Sequence, residues 1–169
     1  MILKPQDVLV LLYLALLRGD WSYAEVSQAL GLSTSAIHAA VARSIECGLI
    51  DRHTRRVRKT ELLEFLMHGL RYVLPVERGA VTTGMPTAHG ATPLRGKIRA
   101  SSDELTPIWP DPESRQRGET WQPIHPNAVF AARRDSRLHE ALALVDAIRG
   151  GRMRERKLAV EELKRRLAP

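Results

Sequence analysis

Two groups of residues in this chain have types and spacings suited to contact with a nucleic acid. Thr34, Ser35, Ala36, His38 and Ala39 lie at the start of a helix-forming stretch. Their side chains are short, so a helix carrying them could lie close to base edges in a major groove. Ser35 and His38 can hydrogen-bond bases, and Ala36 or Ala39 can touch a thymine methyl. The second group is Arg52, Arg55, Arg56, Arg58 and Lys59, five cations in eight residues. Such a run can neutralise phosphates, each contact steepening the salt dependence of binding by about one unit. Arg43, a turn beyond His38, is expected to reach a phosphate. Ser33 and Tyr23, each at a helix start, are candidates for the same role. The competing readings are a solvated turn for the arginine run, a surface histidine at 38, a plain helix cap at Ser33 and a half-buried core tyrosine at 23.

Other chemistry has little support. The single cysteine, Cys47, excludes a disulfide framework and a cysteine-rich zinc site, and reads as a small core residue rather than a nucleophile. The six histidines, at 38, 53, 68, 89, 125 and 139, include no pair with metal-ligand spacing. Glu64 and His68 share a helix face, a pairing common by chance. Gly79 and Gly84 form no phosphate loop. No catalytic residue, metal or cofactor is expected, and the chain does not read as an enzyme.

Helices must position the first two groups. The pattern predicts a helix over 6–18, apolar on most faces and stopped by Gly19. A short helix follows over Tyr23–Leu30, capped by Ser22 and ended by Gly31. A third runs over 34–47 from the cap Ser33 to Gly48, with Ile37, Val41, Ser44 and Ile45 facing inward. A fourth starts at Lys59 or Thr60, carries Leu62, Leu63, Phe65, Leu66 and Leu70, and ends by Pro75. Two short helices joined by Gly31-Leu32-Ser33 fit a helix-turn-helix, whose second helix faces outward.

The stretch 21–58 resembles the winged helix-turn-helix of bacterial MarR-type regulators. The matching residues are Leu30-Gly31-Leu32-Ser33, then Ile37 and Val41, then Gly48-Leu49-Ile50 leading into Arg52. The resemblance covers less than half of the chain. It implies a recognition helix over 34–47, a basic wing and dimeric action on two half-sites. The departure is the wing: only residues 51–58 separate the strand start from the next helix, so it must be very short or a loop.

Residues 76–126 are rich in proline and glycine, and the segments 106–113 and 118–124 read as two short strands of a hairpin, with Trp109 and Trp121 on one face. Helices resume over 127–134, from the cap Asp135 or Ser136 to Gly150-Gly151, and over 152–167. The expected fold is therefore mainly α: a winged helix-turn-helix with a reduced wing over 1–75, an extended connecting segment over 76–126, and two or three C-terminal helices over 127–169.

The chain has 169 residues and a net charge of +7, with an ordinary apolar share of 44%, so general disorder is excluded. The excess charge sits in two blocks. Residues 33–58 carry five basic and two acidic groups; residues 131–169 carry eleven and six. The longest apolar run, residues 8–17, is too short to span a bilayer. The expectation is a cytoplasmic, nucleoid-associated regulator, a dimeric repressor of transcription reading double-stranded DNA with helix 34–47 and segment 52–59. Dimer or partner contacts are expected at Leu9, Leu12 and Leu16 of the first helix and at Leu142, Val145, Val160 and Leu163 of the last two. The alternative is an antitoxin-like interaction module whose basic C-terminal part holds an acidic protein.

Overall fold

The computed structural model of the protein describes residues 2–168. Pro5 occupies the first turn of helix α1 (Pro5–Leu16), where a missing N–H costs nothing. The Lys4 N–H is taken up by Asp7 Oδ2 at 2.8 Å. Val8 to Leu12 are all fully buried, so α1 is enclosed by other elements. Helix α2 (Tyr23–Leu30) opens on a reciprocal cap: Ser22 Oγ accepts from Glu25 N, and Glu25 Oε2 accepts from Ser22 N. It ends at Gly31, whose φ of +64° lies in the left-handed region. Helix α3 (Thr34–Glu46) starts from Ser33, whose hydroxyl accepts from Ala36 N. Ile37, Val41 and Ser44 face inward as the period requires.

A single antiparallel bridge, Ile50↔Val57, follows, with Arg58 N donating to Leu49 O at 2.8 Å and Asp51 N to Arg56 O at 2.9 Å. The short strand pair expected after Gly48 is thus reduced to one bridge and a turn. Helix α4 (Lys59–His68) and the single turn α5 (Leu70–Val73) bring the chain to Pro75.

The middle segment departs from the sequence expectation. Strand β1 (Arg78–Pro86) pairs antiparallel with both β2 (Pro107–Pro110) and β3 (Arg117–Trp121). The last two pair parallel to one another, Pro107 opposite Glu119, and the three strands close on themselves. The predicted hairpin of 106–113 with 118–124 is therefore overturned. Its two arms run in the same direction, and β1, read only as an extended segment, supplies the antiparallel partner of each. Glycine permits the closure: a Cβ at Gly84 would overlap the Trp109 carbonyl, and one at Gly118 the Thr106 carbonyl. The sheet makes the class mixed α/β, with 52% of the chain helical.

Helices α6 (Ala128–Arg134), α7 (Ser136–Gly150) and α8 (Met153–Leu167) complete the chain. The α7 helix packs against α1, α4, α5, α6 and α8, so its residues are buried on every face from Ala141 to Arg149. The buried apolar side chains form one continuous cluster from Val8 to Leu167. Within it lies a polar knot. Asp146 Oδ2 accepts from Thr87 Oγ1 and Trp109 Nε1, both at 2.7 Å, and Oδ1 faces Arg149 Nη1 at 3.1 Å. Arg149 also donates to the Leu74 and Pro75 carbonyls. Burial pushes the Asp146 carboxyl up and the Arg149 guanidinium down, each opposed by the charge of the other.

This packing corrects the expected dimer surface. Leu9, Leu12, Leu142, Val145 and Leu163 are at most 1% exposed within a single chain. Leu16 and Val160 are half-buried against the same core. A side chain enclosed by its own chain has no area left for a second copy. Among the described residues, no helix is long and apolar enough to cross a membrane.

Candidate nucleic-acid interface

The tight turn between α2 and α3 sets how far α3 projects. Leu32 N donates to Ser27 O, and the Ser27 hydroxyl donates to Leu32 O. The turn is gripped from outside by α6, which the sequence reading did not connect to it. Asn127 Nδ2 donates to Leu30 O at 3.0 Å and to Gly31 O at 2.7 Å. The Phe130 ring leaves only 3.0 Å for a Cβ at Gly31. Arg134 lies over the other end of that contact, its guanidinium 5.1 Å from the Phe130 centroid.

Outward from this turn, Thr34, Ser35 and His38 are exposed, and Ala36 and Ala39 are half-exposed. Ala42 continues the exposed stripe, which sequence reasoning did not include. The face is thus small and polar at its N-terminal end, with His38 its one large side chain. Ser33 acts as the cap, and its hydroxyl also lies 3.1 Å from Ser35 Oγ.

His38 is not a free rotor. Its ring stacks on Tyr23, centroids 3.5 Å apart and planes 18° from parallel. Tyr23 in turn meets Trp21 edge-on at 5.3 Å. The Arg55 guanidinium lies over both rings, 4.2 Å from the Trp21 centroid and 4.7 Å from that of Tyr23. Trp21 Nε1 closes the group by donating to Arg55 O. Tyr23 is therefore a half-buried member of an aromatic stack that orients His38. Arg55, read from sequence as a phosphate contact, packs inward instead: its guanidinium lies on the two rings and its Nε and Nη2 are buried. Trp21 and Tyr23 lie 34 and 32 positions before Arg55, so no local signal tied it to them.

Arg43 is corrected too. It is 8% exposed and forms a two-pronged pair with Asp7 of α1, Nε to Oδ2 at 2.8 Å and Nη2 to Oδ1 at 2.7 Å. That pairing holds its guanidinium above its ordinary value. Arg43 fixes α3 to α1 and does not reach outward.

The exposed cations of the basic run are Arg52, Arg56 and Arg58. Asp51 shapes the turn that carries them. Its Oδ1 accepts from Thr54 N at 2.8 Å, Thr54 Oγ1 at 3.0 Å and His53 N at 3.0 Å, and Oδ2 faces Arg58 Nη2 at 3.3 Å. The Thr54 backbone and hydroxyl bonds, aided by His53 and Arg58, bring its carboxyl down to about 2. Arg58 is thus shared with Asp51, and among the described residues no ion pair engages Arg52 or Arg56.

The remaining chemistry-bearing side chains fall elsewhere. Cys47 is exposed, which corrects its reading as a core residue. Glu64 and His68 are exposed on α4. On α8, Glu162 pairs with Arg166 at 2.7 Å and with Arg165 at 3.1 Å. One cluster that sequence spacing could not reveal brings His89, Glu104 and Glu155 together, with one potential ligand atom from each within 4.8 Å of the others. In comparisons with protein-family models, with curated proteins and with solved structures, nothing matched this chain.

Proposed function

We propose that this chain is a sequence-specific double-stranded DNA-binding regulator of the winged helix-turn-helix type. The N-terminal half of α3 enters the major groove, and the shortened wing contacts the flanking backbone. The observation that carries this reading is the exposed stripe Thr34, Ser35, His38 and Ala42 beyond the Gly31 turn, tied through the Tyr23 stack to Arg55, whose turn carries exposed Arg52 and Arg56. Small side chains let a helix approach base edges, and the Tyr23 stack holds the His38 ring in one orientation, which favours discrimination over loose attraction. Arg52, Arg56 and Arg58 supply phosphate neutralisation. Arg134, beside the turn, adds a fourth cation from the C-terminal block.

A single such module buries about 600–1,000 Å² on DNA, so action as a pair of copies on two half-sites belongs to the proposal. The contact between copies must use residues other than the enclosed leucines. Repression is the simplest outcome when such a pair covers a promoter. Selection of binding sites from a random duplex library, followed by anisotropy titration, tests the reading. Enrichment of a two-fold symmetric site bound at least about a thousandfold more tightly than scrambled duplex is the expected result. Absence of any enriched site would count against it.

A second reading draws on α8. Arg154, Lys157, Lys164 and Arg165 are exposed along one side of it, interrupted only by Glu161. That stripe suits an acidic protein partner, as an antitoxin-like module would need. Weak, unselective DNA binding together with stoichiometric capture of an acidic protein at α8 would favour it.

A further inference from the structure

We propose that His89, Glu104 and Glu155 form a binding site for a divalent transition-metal ion. The three residues come from separate segments: the short 3-10 turn Ala88–Gly90 after β1, the loop preceding β2, and the first turn of α8. The His89 side chain is only 10% exposed. Both of its ring nitrogens are shut off from solvent and neither has a hydrogen-bond partner. A buried imidazole left in that state costs free energy, and an arrangement that leaves both ends unpaired calls for a further occupant.

The nearest polar atoms are carboxylate oxygens. Glu104 Oε1 lies 3.6 Å from Nε2, and Glu155 Oε1 lies 3.7 Å from Nδ1. These separations are too long for hydrogen bonds. Either one is close to the span between two ligands on one ion, about 3.4 Å for bonds of about 2.1 Å at a tetrahedral angle; because the two carboxylates approach different ring nitrogens, one of them must move to share an ion held by a single nitrogen. The widest pair in the cluster, within 4.8 Å, needs closure on the order of 1 Å, which a glutamate side chain supplies by rotation. One ring nitrogen binds the ion, and the other keeps its proton.

The donors are held in place. Glu155 is 6% exposed, and its Oε2 accepts from Arg152 N at 2.8 Å, leaving Oε1 for the imidazole side. Trp121 meets the His89 ring edge-on at 6.1 Å. A cavity of about 200 Å³ opens the cluster to solvent, and its wall adds the carboxylates of Asp103 and Glu119. Four carboxylates against Arg78 and Arg152 make this an acidic inlet in a basic chain. One imidazole with two carboxylates suits Zn²⁺ or Mn²⁺; Ca²⁺ and Mg²⁺ prefer all-oxygen sets. Because the site joins the sheet to α8, the ion would tie those two elements together. This inference does not depend on DNA binding.

The test is a titration of the full chain, stripped by chelator, with Zn²⁺ and with Mn²⁺, read by competition with a chromophoric chelator and by thermal melting. One equivalent is expected to bind and to raise the melting temperature, with Ca²⁺ and Mg²⁺ silent. Glu104→Gln, on the exposed loop, keeps the fold and is expected to weaken binding by about tenfold or more. His89→Ala is expected to abolish it, while His68→Ala leaves it unchanged. Two results overturn the proposal: no stoichiometric binding of either ion to the wild-type chain, or binding that survives both Glu104→Gln and His89→Ala.

Discussion

Replacing Arg43 with methionine separates the two roles considered for this residue. The substitution keeps the aliphatic length and removes two hydrogen bonds of 2.7 and 2.8 Å to Asp7. It leaves a carboxylate with no exposed side-chain surface and no cationic partner at that site. Removing one member of a buried pair costs about 3–5 kcal/mol. For a chain of this size each kcal/mol moves the melting temperature by about 2–4 °C, so a fall of about 6–20 °C is expected. Asp7→Leu alone should cost as much and also lose the cap on Lys4 N, about 1 kcal/mol more. The double variant, with two apolar side chains facing each other, should recover most of the loss, because replacing both partners of a buried pair is often neutral. The assay is urea denaturation at constant protein concentration, with anisotropy on a selected duplex at a temperature where every variant is folded. The reasoning is refuted if Arg43→Met keeps wild-type stability while its salt slope for DNA flattens. Arg43 would then be a phosphate contact after all.

Three other expectations follow from the same geometry. Arg52→Ala with Arg56→Ala should weaken binding to every duplex and lower the salt slope by about two units, whereas Arg55→Ala should act mainly through His38 placement; an unchanged slope in the first variant removes the wing from the interface. His38→Ala, and Tyr23→Ala through loss of the stack, should relax sequence preference more than overall affinity, which site selection on each variant measures; a uniform loss across sequences would contradict base reading. The Asp51 and Glu162 carboxyls are both brought down to about 2 from ordinary values of 3.8 and 4.5, Glu162 chiefly by Lys97 and Arg166. A depressed value in the folded chain means stabilisation that is complete above the ordinary values and lost as pH falls through them toward about 2. Urea midpoints across that window should fall less steeply in Asp51→Asn with Glu162→Gln, and a wild-type acid slope in that variant would disprove the assignment.

The helices were legible because their signals are local. Ser22, Gly31 and Ser33 mark the ends of α2 and α3 by cap chemistry confined to a few neighbouring residues, and those boundaries agree with the structure to within a residue. The shortness of the wing was legible from the count of residues before α4. What escaped depends on partners far along the chain. Asp7 and Arg43 are 36 positions apart, so a basic residue near the exposed face of α3 looked free. The stripe on α7 implied one covered face, whereas the helix is enclosed by five others, which turned expected contact leucines into core. The two tryptophan-bearing strands looked like a hairpin because adjacency favours one; instead Gly84 lets β1 approach β2, and Gly118 lets β3 approach the chain at Thr106 and Ile108. The His89 cluster combines three segments, and no spacing rule spans them.

The grip of Asn127 and Phe130 on the Gly31 turn bears on how portable the first three helices are. The carbonyls that end α2 are satisfied by a side chain almost a hundred positions downstream, and α1 rests on α7. A fragment cut at residue 75 would carry α3 without the brace on the turn before it. Grafting the first 75 residues onto another protein should therefore transfer the amino acids of the exposed α3 face but not its geometry. The α2–α3 turn and α6 therefore share one contact surface, so a substitution at Asn127 or Phe130 reaches the start of α3.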